Sequence, residues 1–407
     1  MTDLLGRQPV DTADGGAALR DWLADARRAH PVRWDETTGR CHIFGHEEAQ
    51  QALQDPQTFS SEFKGVVDEP IEDGPNFMDS HLGVTDPPRH GRLRRLISQA
   101  FTPKSVRDLQ PRIAEITGEL LDRATADGGT EIDLVESLCK PLPALVVAEL
   151  LGVPAEDRDR FSGWADAMAL ANDGAATGDP SVMVLDEHMT DPVRQMQDYI
   201  LGHVRDRQAN PGADLISRLV AAEVDGQRLD DAELFQIPMV LLLAGHISTT
   251  MQLGNVLLVL DEHPAARAAA LADPELLAAS IDEAMRLRPA VPSTFRIVKK
   301  PTTLGSVDVP AGAMAVIWML SANYDERRFP EPATFDPGRG ANPHLTFAHG
   351  PHFCLGAQLA RLEISTALQI LFERHPGLRL VPPTTFTTSP LVAGPTRLVA
   401  ETGAGRG

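Results

Sequence analysis

With 407 residues, a net charge of −20 and only three cysteines (Cys41, Cys139 and Cys354), the chain can bury a large core but suits nucleic acid poorly, because phosphates need a concentrated positive surface. The odd, sparse cysteine set argues against a disulfide framework and for a reducing compartment. No Ser/Gly-rich linker or change of composition divides the chain, and no apolar stretch behind basic residues opens it, so one cytoplasmic domain over 1–407 is expected.

In chain order, Val32–Asp35 and Arg40–Phe44 flank Thr37-Thr38-Gly39 and predict a hairpin, followed by a short helix from Glu47 to Leu53. From Lys64 to His81 the sequence is acidic, contains glycine and proline, and is aperiodic, which predicts a long loop of the kind that often contacts substrate. Helices are predicted over Arg89–Phe101, Val106–Ala126, Leu134–Leu151, Phe161–Leu170 and Met196–Gln208, with a small-residue connector at 171–180 that suits a mobile lid. Between Arg89 and Arg107 stand six basic residues and no acid, a reversal of the overall charge.

Asp230 can cap the next helix, and Glu233 completes an Asp-x-x-Glu box. Leu234–Leu260 then carries no Asp, Glu, Lys or Arg and is long enough to span a bilayer. Its middle contains Gly245, His246, Ser248, Thr249, Thr250, Gln252 and Asn255, too many polar groups for hydrocarbon, which predicts a buried core helix and no membrane. Beyond it come a helix over Pro274–Arg288 and short strands at Ser293–Val298, Thr302–Leu304 and Met314–Trp318, a mainly α chain with small β-sheets.

The chemistry centres on Phe347-Ala348-His349-Gly350-Pro351-His352-Phe353-Cys354-Leu355-Gly356, which reads F-x-x-G-x-x-x-C-x-G. Gly350 and Gly356 let the backbone turn closely around the sulfur. The helical spacing that follows, to His375, puts Cys354 beside a helix N-terminus, where backbone N–H groups favour a thiolate. The alternative for a lone cysteine is a buried structural thiol.

This run, with Gly356-Ala357-Gln358-Leu359-Ala360-Arg361-Leu362-Glu363 after it, resembles the haem-binding loop of the cytochromes P450. The resemblance covers nearly everything from about Asp55 to Arg397 and departs from the usual loop at Ala348 and Pro351. It implies the P450 fold with a long central helix over a haem, haem b as cofactor and Cys354 as iron ligand. Phe347, Gly350 and Gly356 would shape the loop, and the haem propionates would meet His90, Arg94, Arg296 and His352.

Glu283-Ala284-Met285-Arg286 places a carboxylate and a guanidinium on one helix face. It resembles the family's E-x-x-R element, whose third, structural member would be Arg339. Ala244-Gly245-His246-Ile247-Ser248-Thr249-Thr250 resembles the oxygen-activation segment A-G-x-[D/E]-T-[T/S], with Ile247 at the acid position and Ser248 at the alcohol position. Isoleucine cannot relay a proton, so two outcomes stay open. Thr249, His246 or a substrate hydroxyl completes the proton path, or the enzyme performs coupling chemistry that needs less proton delivery.

The resemblance further implies a monooxygenase that hydroxylates or epoxidises a bulky apolar secondary metabolite: a polyketide, terpenoid or peptide-derived compound. Electrons would come from a ferredoxin and ferredoxin reductase, with docking near Arg92, Arg95 and Arg361, and the chain would be a monomer. Candidate substrate walls are Lys64–Met78, Phe161–Met196, Val240–Ser248, Val291–Phe295 and Ser389–Val392. A haem-thiolate sensor without turnover is the alternative from another class.

Overall fold

A computed structural model describes residues 12–63, 81–158, 160–164 and 187–402. Residues 64–80 of the loop predicted over Lys64–His81, the connector at 171–180, the wall Lys64–Met78 and residues 165–186 of the wall Phe161–Met196 lie outside the described residues.

The axis of the molecule is the helix Asp231–Glu262, 32 residues and about 48 Å long at 1.5 Å per residue. Its start is fixed by the capping box: Asp230 Oδ1 accepts from the Glu233 N–H at 2.8 Å, and Glu233 Oε2 accepts from the Asp230 N–H at 3.1 Å. By length and composition it could cross a membrane. Instead it packs against helices Pro141–Leu151, Pro274–Leu287 and Ala357–Arg374, and its apolar residues from Leu253 to Leu260 are all buried. Apolar side chains all around it therefore mark a core helix, as its polar middle suggested.

Two predicted helices are broken by proline. Val106–Ala126 divides into Pro103–Arg107 and Gln110–Ala124, because Pro111 brings no N–H and sits where a helix begins. Leu134–Leu151 divides into a π turn, Val135–Cys139, and the helix Pro141–Leu151. There the Lys140 N–H reaches back five residues to the Val135 carbonyl at 3.0 Å. Helices Leu215–Ala221, Pro264–Ala272 and Met319–Asn323 were not anticipated. The helix predicted over Met196–Gln208 extends over Glu187–Ala209, while of Phe161–Leu170 only residues 161–164 are described, and these are helical.

Five strands form the largest sheet, in the order Val32–Asp35, Arg40–Ile43, Met314–Ile317, Thr294–Val298 and Phe59–Ser60. Arg40–Ile43 pairs antiparallel with Val32–Asp35 and parallel with Met314–Ile317, and Ala315 lies opposite Arg296. This register fixes Arg296 in an inner strand. The strand Glu131–Asp133 joins Val399–Glu401 and Arg379–Leu380, a long-range pairing with no local signature.

Candidate active site

Two left-handed residues shape the cysteine loop. Ala348 (φ 57°) turns the chain after its N–H donates to the Leu345 carbonyl at 2.8 Å, and Gly350 (φ 69°) turns it again. A Cβ at Gly350 would lie 2.6 Å from the Leu53 carbonyl oxygen, so no other residue fits without displacing backbone. Gly356 differs: at φ −81° an added Cβ would meet Cys354 Sγ at 4.0 Å, an ordinary contact, and the chain alone does not demand glycine there.

The Phe353 N–H bonds back to Gly350 at 3.0 Å and the Cys354 N–H to Phe347 at 2.9 Å, leaving Cys354 exposed on one side. The Arg361 guanidinium stacks 4.5 Å from the Phe347 ring centre and pairs with Asp282 at 2.7 Å. Burial on its wrapped side pushes the Cys354 thiol pKa up, against the pull of the Gly356 N–H, Arg94, Arg361 and the Ala357 N–H. The helix N-terminus acts in the sense the sequence suggested, but burial outweighs it. A bound metal ion is what would deprotonate such a thiol outright.

Beside the loop, three elements bring four nitrogen-bearing side chains together. His90 and Arg94 come from one face of the helix Arg89–Ala100, Arg296 from the inner strand, and His352 from the loop. The two imidazoles stand 4.2 Å apart, and the Nε2 atoms of both are buried without a hydrogen-bond partner. Arg94 donates to the Phe353 carbonyl at 2.7 Å, and Arg296, 6% exposed, donates to the Phe295 carbonyl at 2.6 Å. Burial and then the Arg296 charge hold the His352 pKa down to about 3, and burial lowers Arg296 to about 10.

At neutral pH only the two arginines of this cluster are therefore charged, and the imidazoles offer neutral N–H groups. The nearby Asp86 is already engaged, accepting from Ser60 Oγ at 2.6 Å, the Ser61 N–H at 3.0 Å and Lys299 Nζ at 2.7 Å. Among the described residues neither arginine has a carboxylate of its own; with the two orphaned imidazole nitrogens they fit an anionic group with several acceptor oxygens. The carboxylates of a haem beside Cys354 are of that kind.

Glu283, Arg286 and Arg339 meet in a second cluster. Arg286 pairs with Glu283 through bonds of 2.7 and 2.8 Å, both fully buried, and Arg339 Nε reaches the same carboxylate at 3.1 Å. The remaining donors of Arg286 are taken by the carbonyls of Asn323, Pro332 and Thr334.

On the central helix the predicted segment splits by face. Ala244 is exposed and Ile247 and Ser248 are half-buried, whereas His246 and Thr249 are 3% and 6% exposed. Ser248 Oγ donates to the Ala244 carbonyl one turn back at 2.6 Å. A Cβ at Gly245 would lie 3.4 Å from a Val147 methyl, an ordinary contact, so packing on the helix Pro141–Leu151 does not by itself demand glycine there.

The Cytochrome P450 family profile matches residues 34–273 and 266–376. The chain belongs to the cytochrome P450 family. It is similar to cyclomarin C epoxidase CymV of Salinispora arenicola, at 41% identity over 97% of this chain and 98% of that one. It is also similar to erythromycin C-12 hydroxylase of Saccharopolyspora erythraea, at 43% identity over 90% of each. Among solved structures, the open form of cytochrome P450 EryK from S. erythraea superposes with a TM-score of 0.87, at 39% identity over 98% of this chain and 99% of that one.

The chain is thus a P450 monooxygenase with the P450 fold, of a haem-thiolate family whose bacterial members accept small substrates and electrons from redox partners. Its relatives are enzymes of secondary metabolism, which removes the sensor alternative.

The cations suggested for docking turn out to be paired. Arg92 binds Glu233 at 2.7 Å, Arg95 lies 3.7 Å from Asp225, and Arg361 is held by Asp282. Sequence reasoning also passed over Glu363, which it quoted without a role. That carboxyl is 3% exposed, and burial raises its pKa well above the ordinary range. In the sequence Gln252 and Asn255 stand out only as polar groups in an apolar helix. That is signal enough to require buried partners, though not to name them.

Proposed function

We propose that the chain holds haem b with Cys354 as its iron ligand, and hydroxylates or epoxidises a bulky apolar secondary metabolite of polyketide, terpenoid or peptide-derived type. When bound, the haem supplies the oxidising chemistry, using dioxygen and electrons. Arg94 and Arg296 bind its carboxylates through charge, and His90 and His352 through N–H groups; Phe347, Gly350 and Gly356 shape the loop. Glu283, Arg286 and Arg339 brace the fold behind that loop. The protein acts in the cytoplasm as a monomer and takes electrons from a ferredoxin reduced by a ferredoxin reductase. Since Arg92 and Arg361 already have carboxylates, the exposed Arg107, which lines one surface depression with Arg361, is the better docking cation.

The observation that carries this reading is the open face of the central helix, Ala244, Ile247 and Ser248: a small residue, an apolar wall and one hydroxyl. Because Ser248 gives its proton to the Ala244 carbonyl, its oxygen is left to accept a hydrogen bond from a water and so orient it. His246 and Thr249 lie on the buried flank, which leaves such a water, or a hydroxyl of the substrate, to move protons. Epoxidation and C-12 hydroxylation, named for the relatives, fit this arrangement. Ile247, which removes the acid, favours oxidative coupling as the second reading.

The test is turnover under isotopically labelled dioxygen, using cyclomarin C and erythromycin B as first ligands and selecting any that shifts the iron spin state. A product carrying one labelled oxygen supports monooxygenation. A product that has lost two hydrogens and gained no oxygen overturns it in favour of coupling.

A further inference from the structure

We infer that Gln252 and Asn255 form a positioning clamp that sets two substrate-facing segments against the reactive stretch of the central helix. The inference rests on the proposed function and on the sequence expectation that Val291–Phe295 and Ser389–Val392 wall its substrate site.

Ser248, Gln252 and Asn255 are spaced i, i+4, i+7 and therefore form one stripe along the central helix. At Ser248 the stripe is half open, whereas one and two turns later it is closed, with Gln252 5% and Asn255 4% exposed. Gln252 Nε2 donates to the Arg288 carbonyl at 3.0 Å, and its Oε1 accepts from the Ala290 N–H at 2.9 Å. Asn255 Nδ2 donates to the same Arg288 carbonyl at 3.2 Å and to the Ala393 carbonyl at 2.9 Å.

Two stretches of chain about a hundred residues apart are thereby fixed to one helix face. They also bond to each other, the Ala393 N–H donating to the Ala290 carbonyl at 2.8 Å. The surroundings leave little slack. A Cβ at Gly394 would lie 2.7 Å from Met251 Cβ, and one at Gly254 would lie 2.5 Å from Pro395 Cγ. From Ala290 the chain runs directly into the strand Thr294–Val298, and Ala393 directly follows Leu391 and Val392. The clamp touches no reacting atom. It fixes how far each wall stands from Ser248, which is a selectivity function rather than a catalytic one.

The test uses the haem-loaded full chain and two azoles that ligate iron, imidazole and the bulkier 4-phenylimidazole, whose phenyl group must contact the walls. In Asn255→Leu, 4-phenylimidazole should bind about tenfold more weakly or worse, the size expected for lost apolar contact in a pocket, with imidazole within about twofold of wild type. Amide exchange at Ala393 and Gly394, on the segment that Asn255 holds, should quicken. Gln252→Met, which keeps both Asn255 bonds, should give a smaller change of the same kind and serves if Asn255→Leu fails to fold. The double variant should fall short of the summed effects, because both side chains share the Arg288 carbonyl.

Faster amide exchange with an unchanged ratio of the two affinities would reduce the clamp to simple packing and overturn the inference. Failure of wild type to bind imidazole would instead remove the haem reading, and with it the walls that the clamp is said to hold.

Discussion

Two buried charge clusters meet the cysteine loop from opposite ends, and they differ in what completes them. Around Glu283 the chain answers itself. The carboxylate receives Arg286, Arg339, the Asp336 N–H at 3.1 Å and Asn342 at 3.1 Å, and these bonds hold its pKa below the usual range despite burial. Asn323 then links this cluster to the loop, donating to the Arg286 carbonyl at 3.2 Å and accepting from the Leu345 N–H at 2.7 Å. Around His352 the chain stops short, for two arginines and two imidazoles converge with their Nε2 atoms unmatched and with Asp86 engaged elsewhere. A cluster closed by its own residues supports a fold, whereas one left with unmatched donors is built for a ligand.

The sharpest way to break this distinction is Glu283→Ala. It strands Arg286, which is wholly buried, and should cost about 3–5 kcal/mol, as breaking a buried ion pair does. Urea unfolding of the haem-free chain measures it. A loss under about 1 kcal/mol would mean that the backbone carbonyls alone satisfy the arginine, and the cluster would no longer count as self-completing.

Arg296→Met tests the other side with the opposite sign. Removing a buried charge that no carboxylate among the described residues touches should leave haem-free stability unchanged or up to about 1 kcal/mol higher. The same substitution should speed haem loss to apomyoglobin by about tenfold, because one charge partner of the propionates is gone. If the haem-free chain instead weakens as much as Glu283→Ala, both clusters are structural and the contrast between them disappears.

How legible these features are in the sequence follows from how local they are. The central helix, its capping box and the Glu283/Arg286 pair are readable because partners lie within four residues and periodicity marks the face. Arg339 needed a family resemblance, since 53 residues separate Asp336 beside it from Glu283. The pairing of Arg92 with Glu233 and the Gln252–Asn255 clamp were hidden for the same reason, their partners lying on distant chain and often being backbone atoms. Proline divides what periodicity joins: each of the two helices predicted as continuous breaks where a missing N–H makes a new start cheaper than a continuation.

The smallest expected effect concerns the turn that delivers His352 to its cluster. Ala348 holds φ 57°, in a region that costs a residue with a Cβ about 1–2 kcal/mol, at the position where the family usually has glycine. Ala348→Gly relieves that strain but adds backbone freedom to the unfolded chain, so the net gain should be at most about 1 kcal/mol in urea unfolding. The comparison with haem-loaded protein matters more than the size of the gain. If the chain alone dictates the loop, the haem-free and haem-loaded proteins should gain equally. A gain confined to the haem-free protein would show the bound group holding the turn against its own strain, which would place the loop with the open cluster rather than with the self-completing one.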